Sequence, residues 1–198
     1  MKILANDGIS NSGIKVLTKS GYKVLTEKVK QEDLIQTIND QNIEVLLVRS
    51  ATTARKDLID ACPNLKIIGR GGVGMDNIDV QYARDNGRTV INTPGASSQS
   101  VAELVMGHLF AISRSLQDSY KNMESQDFKT LKKKYGKGVE LRGKNLTIIG
   151  FGRIGQKLAQ YAIGSGMNVT AVHSSAQRIN LPIELGNSTV ASVEINPI

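Results

Sequence analysis

The sequence predicts an α/β protein built on doubly wound, mostly parallel sheets. Three observations carry that prediction. Short β-like runs alternate with helical patterns through the first half of the chain, the signature of successive βαβ units. Gly21 and Gly87 stand where helices should end, just before the next strand, as glycines that close a helix do. Gly150-Phe151-Gly152-Arg153-Ile154-Gly155 follows an apolar run and opens a helical pattern. In that setting G-x-G-x-x-G signals a strand, a tight turn and a helix N-terminus that receives a dinucleotide. The expected architecture is a doubly wound, flavodoxin-like substrate domain over residues 1–98, then the first part of a Rossmann dinucleotide-binding domain over residues 99–198.

Taken in order, strands are expected at Lys2–Ala5, Tyr22–Leu25, Val45–Val48, Leu65–Ile68 and Thr89–Ile91. Helices at Ser10–Lys19, Glu32–Asn39, Lys56–Ala61 and Asp79–Asp85 separate them. Pro94-Gly95-Ala96-Ser97-Ser98 breaks the rhythm and reads as an interdomain hinge. A long helix follows, from Ser98–Ser100 to about Met123, with capping-box spacing between Ser100 and Glu103. Val101, Leu104, Val105, His108, Leu109 and Ile112 form one stripe at helical spacing. Glu124–Lys144 is polar and lysine-rich and is expected to be a surface excursion. The nucleotide-type unit then runs from strand Asn145–Ile149 through the glycine turn and a helix over Gln156–Gly164 to strand Met167–Val172. In the tail, Ile179, Leu181, Ile183 and Leu185 alternate with other residues, Gly186-Asn187 follows, and Val190–Ile195 is strand-like again. That pattern predicts a β-hairpin. A complete dinucleotide-binding domain is longer than the stretch after Gly155, so this one is expected to be incomplete. Leu146–Ile149 should then expose an apolar sheet edge unless the hairpin covers it.

A hydrophobic fraction of 40% supplies a core, and no apolar run approaches the ~20 residues of a membrane span. The N-terminus reads as a strand meeting a polar loop, not as a signal peptide. Cys62, the single cysteine, excludes an internal disulfide framework and a thiolate zinc cluster. No H-E-x-x-H or similar metal pattern occurs. A cytoplasmic protein is expected. The net charge of +7 invites a nucleic-acid reading, yet most basic residues are scattered among acidic ones. The one dense run, Lys129, Lys132, Lys133, Lys134 and Lys137, has Gly136 and Gly138 beside it and Tyr135 as its only aromatic. It reads as a solvated loop, with neither nucleic acid nor membrane as partner.

In the glycine motif Gly150 permits the turn, Gly152 lets the backbone approach a pyrophosphate, and Gly155 lets helix and strand pack closely. The N–H groups of Arg153 and Ile154, at a helix N-terminus, would hold the anion. Cofactor choice lies with the residue ending the second strand, where a carboxylate favours NAD. Here His173 stands at that point, followed by Ser174, Ser175 and Arg178; imidazole, hydroxyls and guanidinium suit a 2′-phosphate, so NAD or NADP both remain. A second glycine cluster, Gly69-Arg70-Gly71-Gly72-Val73-Gly74, follows the fourth strand. Arg49 and Ser50 end the third strand on the same sheet edge. Arg49, Ser50, Arg70 and the amides of Gly72, Val73 and Gly74 suit a small carboxylate, including one bearing phosphate. The competing reading is ordinary turn glycines beside exposed arginines. His108 reads as a buried or interface histidine and Cys62 as structural. No residue is assigned a catalytic role, and no metal ligand set is found.

The blocks Leu47–Thr52, Gly69–Asp79, Asn92-Thr93-Pro94-Gly95, Ser100–Leu104 and Glu140–Lys144 precede the glycine motif in that order. Together they resemble the D-2-hydroxyacid dehydrogenase family, and within it the members that oxidise 3-phosphoglycerate. The resemblance runs from Met1 to about Val172 and weakens beyond His173. It implies two doubly wound domains, a small anionic 2-hydroxy acid as substrate, NAD or NADP, and a homodimer through the nucleotide domain. It also implies substrate-side contacts from Arg49, Ser50, Arg70, Gly72, Val73 and Gly74, with Val73 close to the nicotinamide. Arg153 and Ile154 correspond to the pyrophosphate contacts. His173 departs from the family's usual aspartate. The family's catalytic arginine, acid and histidine belong to segments that would follow Ile198, so a chain of these residues alone is expected to be inactive. A non-catalytic nucleotide-sensing protein and a hydroxypyruvate or glyoxylate reductase are the other expectations the sequence supports.

Overall fold

The computed structural model describes residues 1–173 and 194–197. The chain divides into two compact units, Met1–Ala96 and Ser97–Ile198.

The first unit holds five strands: β1 (Lys2–Ala5), β2 (Lys23–Leu25), β3 (Val45–Val48), β4 (Ile67–Arg70) and β5 (Thr89–Asn92). All pair in parallel in the order β2-β1-β3-β4-β5, the flavodoxin-like order. The connections are α1 (Asn11–Lys19), α2 (Leu34–Asp40) after a short 3-10 turn, α3 (Lys56–Ala61) and α4 (Val80–Asp85). Ser10 caps α1, its Oγ accepting the Gly13 N–H at 3.2 Å. Leu46, Ile68 and Val90 align across β3, β4 and β5 and are buried with Leu34 and Ile38 of α2 and Leu58 and Ile59 of α3. Each such side chain contributes ~1.5–3 kcal/mol by leaving water. Their strand neighbours Leu47, Gly69 and Ile91 share the opposite face, where Ile91 is half exposed. β4 starts at Ile67 and not at Leu65. Leu65 is buried, but its N–H is spent on the Cys62 carbonyl in the turn after α3, at 3.2 Å.

The second unit contains α5 (Ser98–Ser113), α6 (Leu116–Lys121), α7 (Phe128–Tyr135), β6 (Asn145–Ile149), α8 (Arg153–Gly164), β7 (Asn168–His173) and β8 (Glu194–Pro197). Its strands are parallel in the order β6-β7-β8. Ala102 and Met106 of α5 pack with Leu158, Ala159 and Ala162 of α8 and with Ile148 of β6.

Several expectations change here. The long helix stops at Ser113, and Ser115 takes a left-handed backbone (φ 53°) before α6 begins. The expected stripe on α5 divides. Val105 and Leu109 pack inward beside Ala102 and Met106, whereas Leu104 and Ile112 are 60% and 78% exposed and His108 is exposed with them. The capping box does not form, because α5 begins at Ser98 and the Glu103 carboxylate takes bonds from Gln99 (2.8 Å) and the Tyr161 hydroxyl (3.0 Å) instead. The lysine run is helical. Asp127 caps α7 by accepting the Thr130 N–H at 3.2 Å, and Asp118 takes the Lys134 ammonium (2.7 Å) and the Tyr135 hydroxyl (2.8 Å). Among the described residues β6 pairs only with β7, and Ile149 is 82% exposed, as an open sheet edge requires. The expected hairpin's first arm lies outside the described residues; of its second arm only Glu194 and Ile195 are described, at the start of β8, which extends the sheet in parallel beside β7. No helix among the described residues is long and apolar enough to cross a membrane.

Candidate functional site

Two candidate clusters can be built, one in each unit. In the first, the strand order reverses between β1 and β3, and open parallel sheets bind ligands at the carboxyl ends of strands beside such a switch. β1 leads there into Asn6-Asp7 and β3 into Arg49–Thr52. The Asp7 side chain is only 5% exposed, yet its carboxylate accepts the Arg49 N–H (2.7 Å), the Thr52 N–H (3.0 Å) and the Thr52 hydroxyl (2.8 Å). Burial by itself raises its pKa; those donors, with the Lys28 ammonium 3.7 Å away, outweigh it and leave Asp7 below its usual range. On the other side of the loop the Asn77 amide donates to the carbonyls of Arg49 (2.8 Å) and Thr52 (2.6 Å).

Arg49 and Ser50 are exposed at this edge. Arg70, the last residue of β4, is 12% exposed. Its guanidinium donates to Asp76 at 3.3 Å and to the Ser50 hydroxyl at 3.4 Å, and its buried Nε has no partner among the described residues. A buried guanidinium nitrogen without an acceptor is costly, and an acceptor placed beside it would remove that cost. A cavity of about 390 Å³ lies between Gly8–Ser10 and the ends of β3, β4 and β5, lined by Arg49 and Arg70 among others. The glycine loop is less open than expected. The Gly72 N–H is spent on the Arg70 carbonyl at 3.0 Å, while Thr93 donates to the Gly72 carbonyl and Asn92 to that of Val73. Of the three amides expected to face a ligand, those of Val73 and Gly74 lack a backbone partner among the described residues. The glycines of this loop also have ordinary negative backbone angles; they supply room. A Cβ on Gly69 would sit 2.8 Å from Leu47, and one on Gly74 3.2 Å from the Asp76 carboxylate.

In the second unit the turn after β6 places Gly150 at φ 93°, a conformation other residues avoid, and its N–H donates to the Val172 carbonyl at 2.8 Å. A Cβ on Gly155 would stand 2.5 Å from the Gly150 carbonyl oxygen, whereas one on Gly152 would meet nothing within 4 Å. Glycine is thus needed at 155 for packing, and the space before Gly152 is open. The first bond of α8 runs from the Gln156 N–H to the Gly152 carbonyl at 3.0 Å, which leaves the N–H groups of Arg153 and Ile154 ahead of the helical ladder. Phe151, fully buried, pins the turn to the core. His173 ends β7; its side chain and Ser174, Ser175 and Arg178 lie outside the described residues.

The sequence reading gave no role to Asp7, Thr52, Asn77, Asn92 or Phe151, although all but Asp7 stand inside its motif blocks. The residues that announced themselves were those in the glycine loops and at strand ends, because hydrogen bonding between residues distant in sequence leaves no local pattern. Cys62 is buried, which pushes its thiol pKa up and suits a structural role. Among the described residues no cluster of histidine, cysteine or carboxylate side chains suits a metal.

A family model for the D-isomer specific 2-hydroxyacid dehydrogenase catalytic domain matches residues 3–193. A hydroxypyruvate reductase of Thermotoga maritima is 40% identical over 184 residues, covering 92% of this chain and 58% of its own length. A D-3-phosphoglycerate dehydrogenase of Methanocaldococcus jannaschii is 41% identical over 169 residues, covering 85% of this chain and 31% of its own. The crystal structure of the TT0316 protein from Thermus thermophilus has the same fold, with a TM-score of 0.82 at 22% identity over 100% of this chain and 60% of that one. The chain therefore spans less than two thirds of the length of each of these relatives.

Proposed function

The chain belongs to the D-isomer specific 2-hydroxyacid dehydrogenase family, and from that premise we propose that it carries the substrate unit and the first part of the nucleotide unit of an NAD- or NADP-dependent oxidoreductase. The observation that carries this reading is the turn from Gly150 to Gly155. Close packing of Gly155 on the Gly150 carbonyl and open space before Gly152 fit a pyrophosphate at the two free amides. When bound, the nicotinamide supplies the hydride acceptor or donor. The chain's own part is to hold the pyrophosphate on the N–H groups of Arg153 and Ile154, aided by the positive end of the α8 dipole. His173 is assigned to the adenosine end, where the absence of a carboxylate admits NADP as well as NAD.

Arg49, Ser50 and Arg70, with Val73 and Gly74 beside them and Gly72 holding the loop, are assigned to a small 2-hydroxy acid. Two arginines at one sheet edge, one with an unpaired buried Nε, match a substrate bearing two anionic groups. The favoured reaction is oxidation of 3-phosphoglycerate to 3-phosphohydroxypyruvate, the first step of serine synthesis, in the cytoplasm. Reduction of hydroxypyruvate is the second reading, supported by 40% identity to the Thermotoga relative across 92% of this chain. No group among the described residues is assigned the proton exchange that hydride transfer requires: Cys62 is buried and His108 lies exposed on α5. The 198 residues are therefore assigned binding without turnover. The exposed Leu104 and Ile112 of α5 support a homodimer through the nucleotide unit.

Fluorescence titration with NADH and NADPH, alongside calorimetric titration with 3-phosphoglycerate and hydroxypyruvate, tests the reading. Saturable binding of a reduced cofactor and of one 2-hydroxy or 2-oxo acid is expected. At least tenfold tighter NADH than NADPH would remove the NADP assignment. Absence of any cofactor binding would overturn the main reading, and turnover by the 198-residue chain would refute binding without catalysis.

A further inference from the structure

We propose that Asp7 is a positioning residue, which with Thr52 and Asn77 sets the shape of the Arg49–Thr52 loop so that Arg49 and Ser50 can bind the substrate anion. The inference rests on the assignment of that loop to substrate. Four peptide groups of the loop are held by side chains from elsewhere in the unit. Asp7, just after β1, takes the N–H groups of Arg49 and Thr52. Asn77, before α4, spends both hydrogens of its amide on the carbonyls of the same two residues. Residues 49 and 52 are thereby held on both faces of the backbone, and Ser50 and Ala51 form an exposed apex between them.

Neither clamp arm is free to drift. Asn6, beside Asp7, joins the sheet by donating its N–H to the Leu47 carbonyl at 3.0 Å, and the Asn77 carbonyl accepts the Ala54 N–H at 2.9 Å. The Thr52 hydroxyl accepts from the Asn6 amide at 2.9 Å and donates its own hydrogen to Asp7 at 2.8 Å. The Arg49 guanidinium makes no hydrogen bond or ion pair among the described residues, although its backbone is fixed at both ends; a cation anchored at its root with an unspent head is prepared for an incoming anion. Preorganisation of this kind raises affinity by lowering the ordering cost on binding. Asp7 needs both carboxylate oxygens for this task. An asparagine in its place keeps the two loop amides only by turning its NH2 toward Thr52, whose hydroxyl must then accept and give up the hydrogen it donates to Asp7.

The test compares the unaltered chain with Asp7→Asn, Thr52→Val and Thr52→Ser. Each is titrated calorimetrically with 3-phosphoglycerate and by fluorescence with NADH, and each is melted. Asp7→Asn and Thr52→Val should weaken 3-phosphoglycerate at least tenfold. Thr52→Ser, which keeps the hydroxyl, should stay within threefold of the unaltered chain. NADH binding, made by the other unit, should stay within twofold in all three. Rescue by serine with loss in valine is what a general loss of stability would not produce. If the unaltered chain binds 3-phosphoglycerate and both damaging variants bind it within twofold, the inference is overturned while the functional reading stands. If the unaltered chain binds NADH but no 2-hydroxy or 2-oxo acid, the substrate assignment fails first and the clamp's role fails with it.

Discussion

Replacing Gly155 by alanine tests how the nucleotide turn is built. The added Cβ would lie 2.5 Å from the Gly150 carbonyl oxygen, 3.2 Å from a methyl of Ile148 and 3.4 Å from the Gly150 carbonyl carbon. Real Cβ atoms do not approach backbone oxygens that closely, and a carbonyl inside a turn cannot swing aside as a side-chain tip does. α8 must therefore lift from β6, loosening Ile148, Phe151, Leu158 and Ala159, all buried in that core. Overpacking of this kind costs ~1–3 kcal/mol, and at ~2–4 °C per kcal/mol for a chain of this size the melting point should fall by ~2–12 °C. The same displacement moves the Arg153 and Ile154 amides, so NADH affinity should fall with it. Gly164, at the end of α8, is the internal reference: a Cβ there meets nothing within 4 Å, and Gly164→Ala should be neutral or add ~0.4–1 kcal/mol by restricting the unfolded chain. Scanning calorimetry of both variants decides the matter. A Gly155→Ala chain that melts and binds NADH as the Gly164→Ala chain does would refute the packing argument.

Phe151→Ala should destabilise the second unit by ~3–5 kcal/mol, as loss of a fully buried ring does, read from denaturant unfolding. Arg70→Met should weaken 3-phosphoglycerate roughly tenfold or more, the ~1.5–3 kcal/mol of a hydrogen bond to a charged group, without changing NADH binding; calorimetric titration with each ligand checks both halves. Asp7 has a lowered pKa in the folded chain, so its contribution to stability is complete above the ordinary carboxylate value of ~3.9 and is lost as pH falls through the lower folded value. A carbon-detected carboxyl titration should place its midpoint below that ordinary value, and a midpoint at or above it would contradict the clamp geometry. Ile112→Lys, at a position 78% exposed, should leave unfolding within ~0.5 kcal/mol yet, on the proposed homodimer, lower self-association in sedimentation experiments.

The parallel sheet of the first unit was legible because its strands are short apolar runs and two of its helices end in glycine. The glycines at 21 and 87, with φ of 84° and 79°, are local chemistry that a sequence displays. The glycine turn was legible for the same reason, since Gly150 and Gly155 answer to their immediate neighbours. What stayed hidden depends on partners far along the chain. Glu103 has the spacing of a capping box, but the Tyr161 hydroxyl claims its carboxylate from 58 residues away. The lysine-rich stretch looked like a loop because its charges repel; Asp118, 17 residues from Tyr135, anchors its C-terminal end and makes a helix of it. The break at Ser115 carries no glycine or proline to announce it. Of the substrate-side cluster the arginines were visible, while Asp7 and Asn77, which hold the loop under them, were not.

Backbone amide resonances followed during titration of the chain with NADH test the central claim most directly. Gly150, Gly152, Arg153, Ile154 and Gly155 should shift first and most, along one saturating curve, while the amides of Arg49 and Ser50 move only when 3-phosphoglycerate is added. Saturable NADH binding that leaves the Gly150–Gly155 amides in place would contradict that claim.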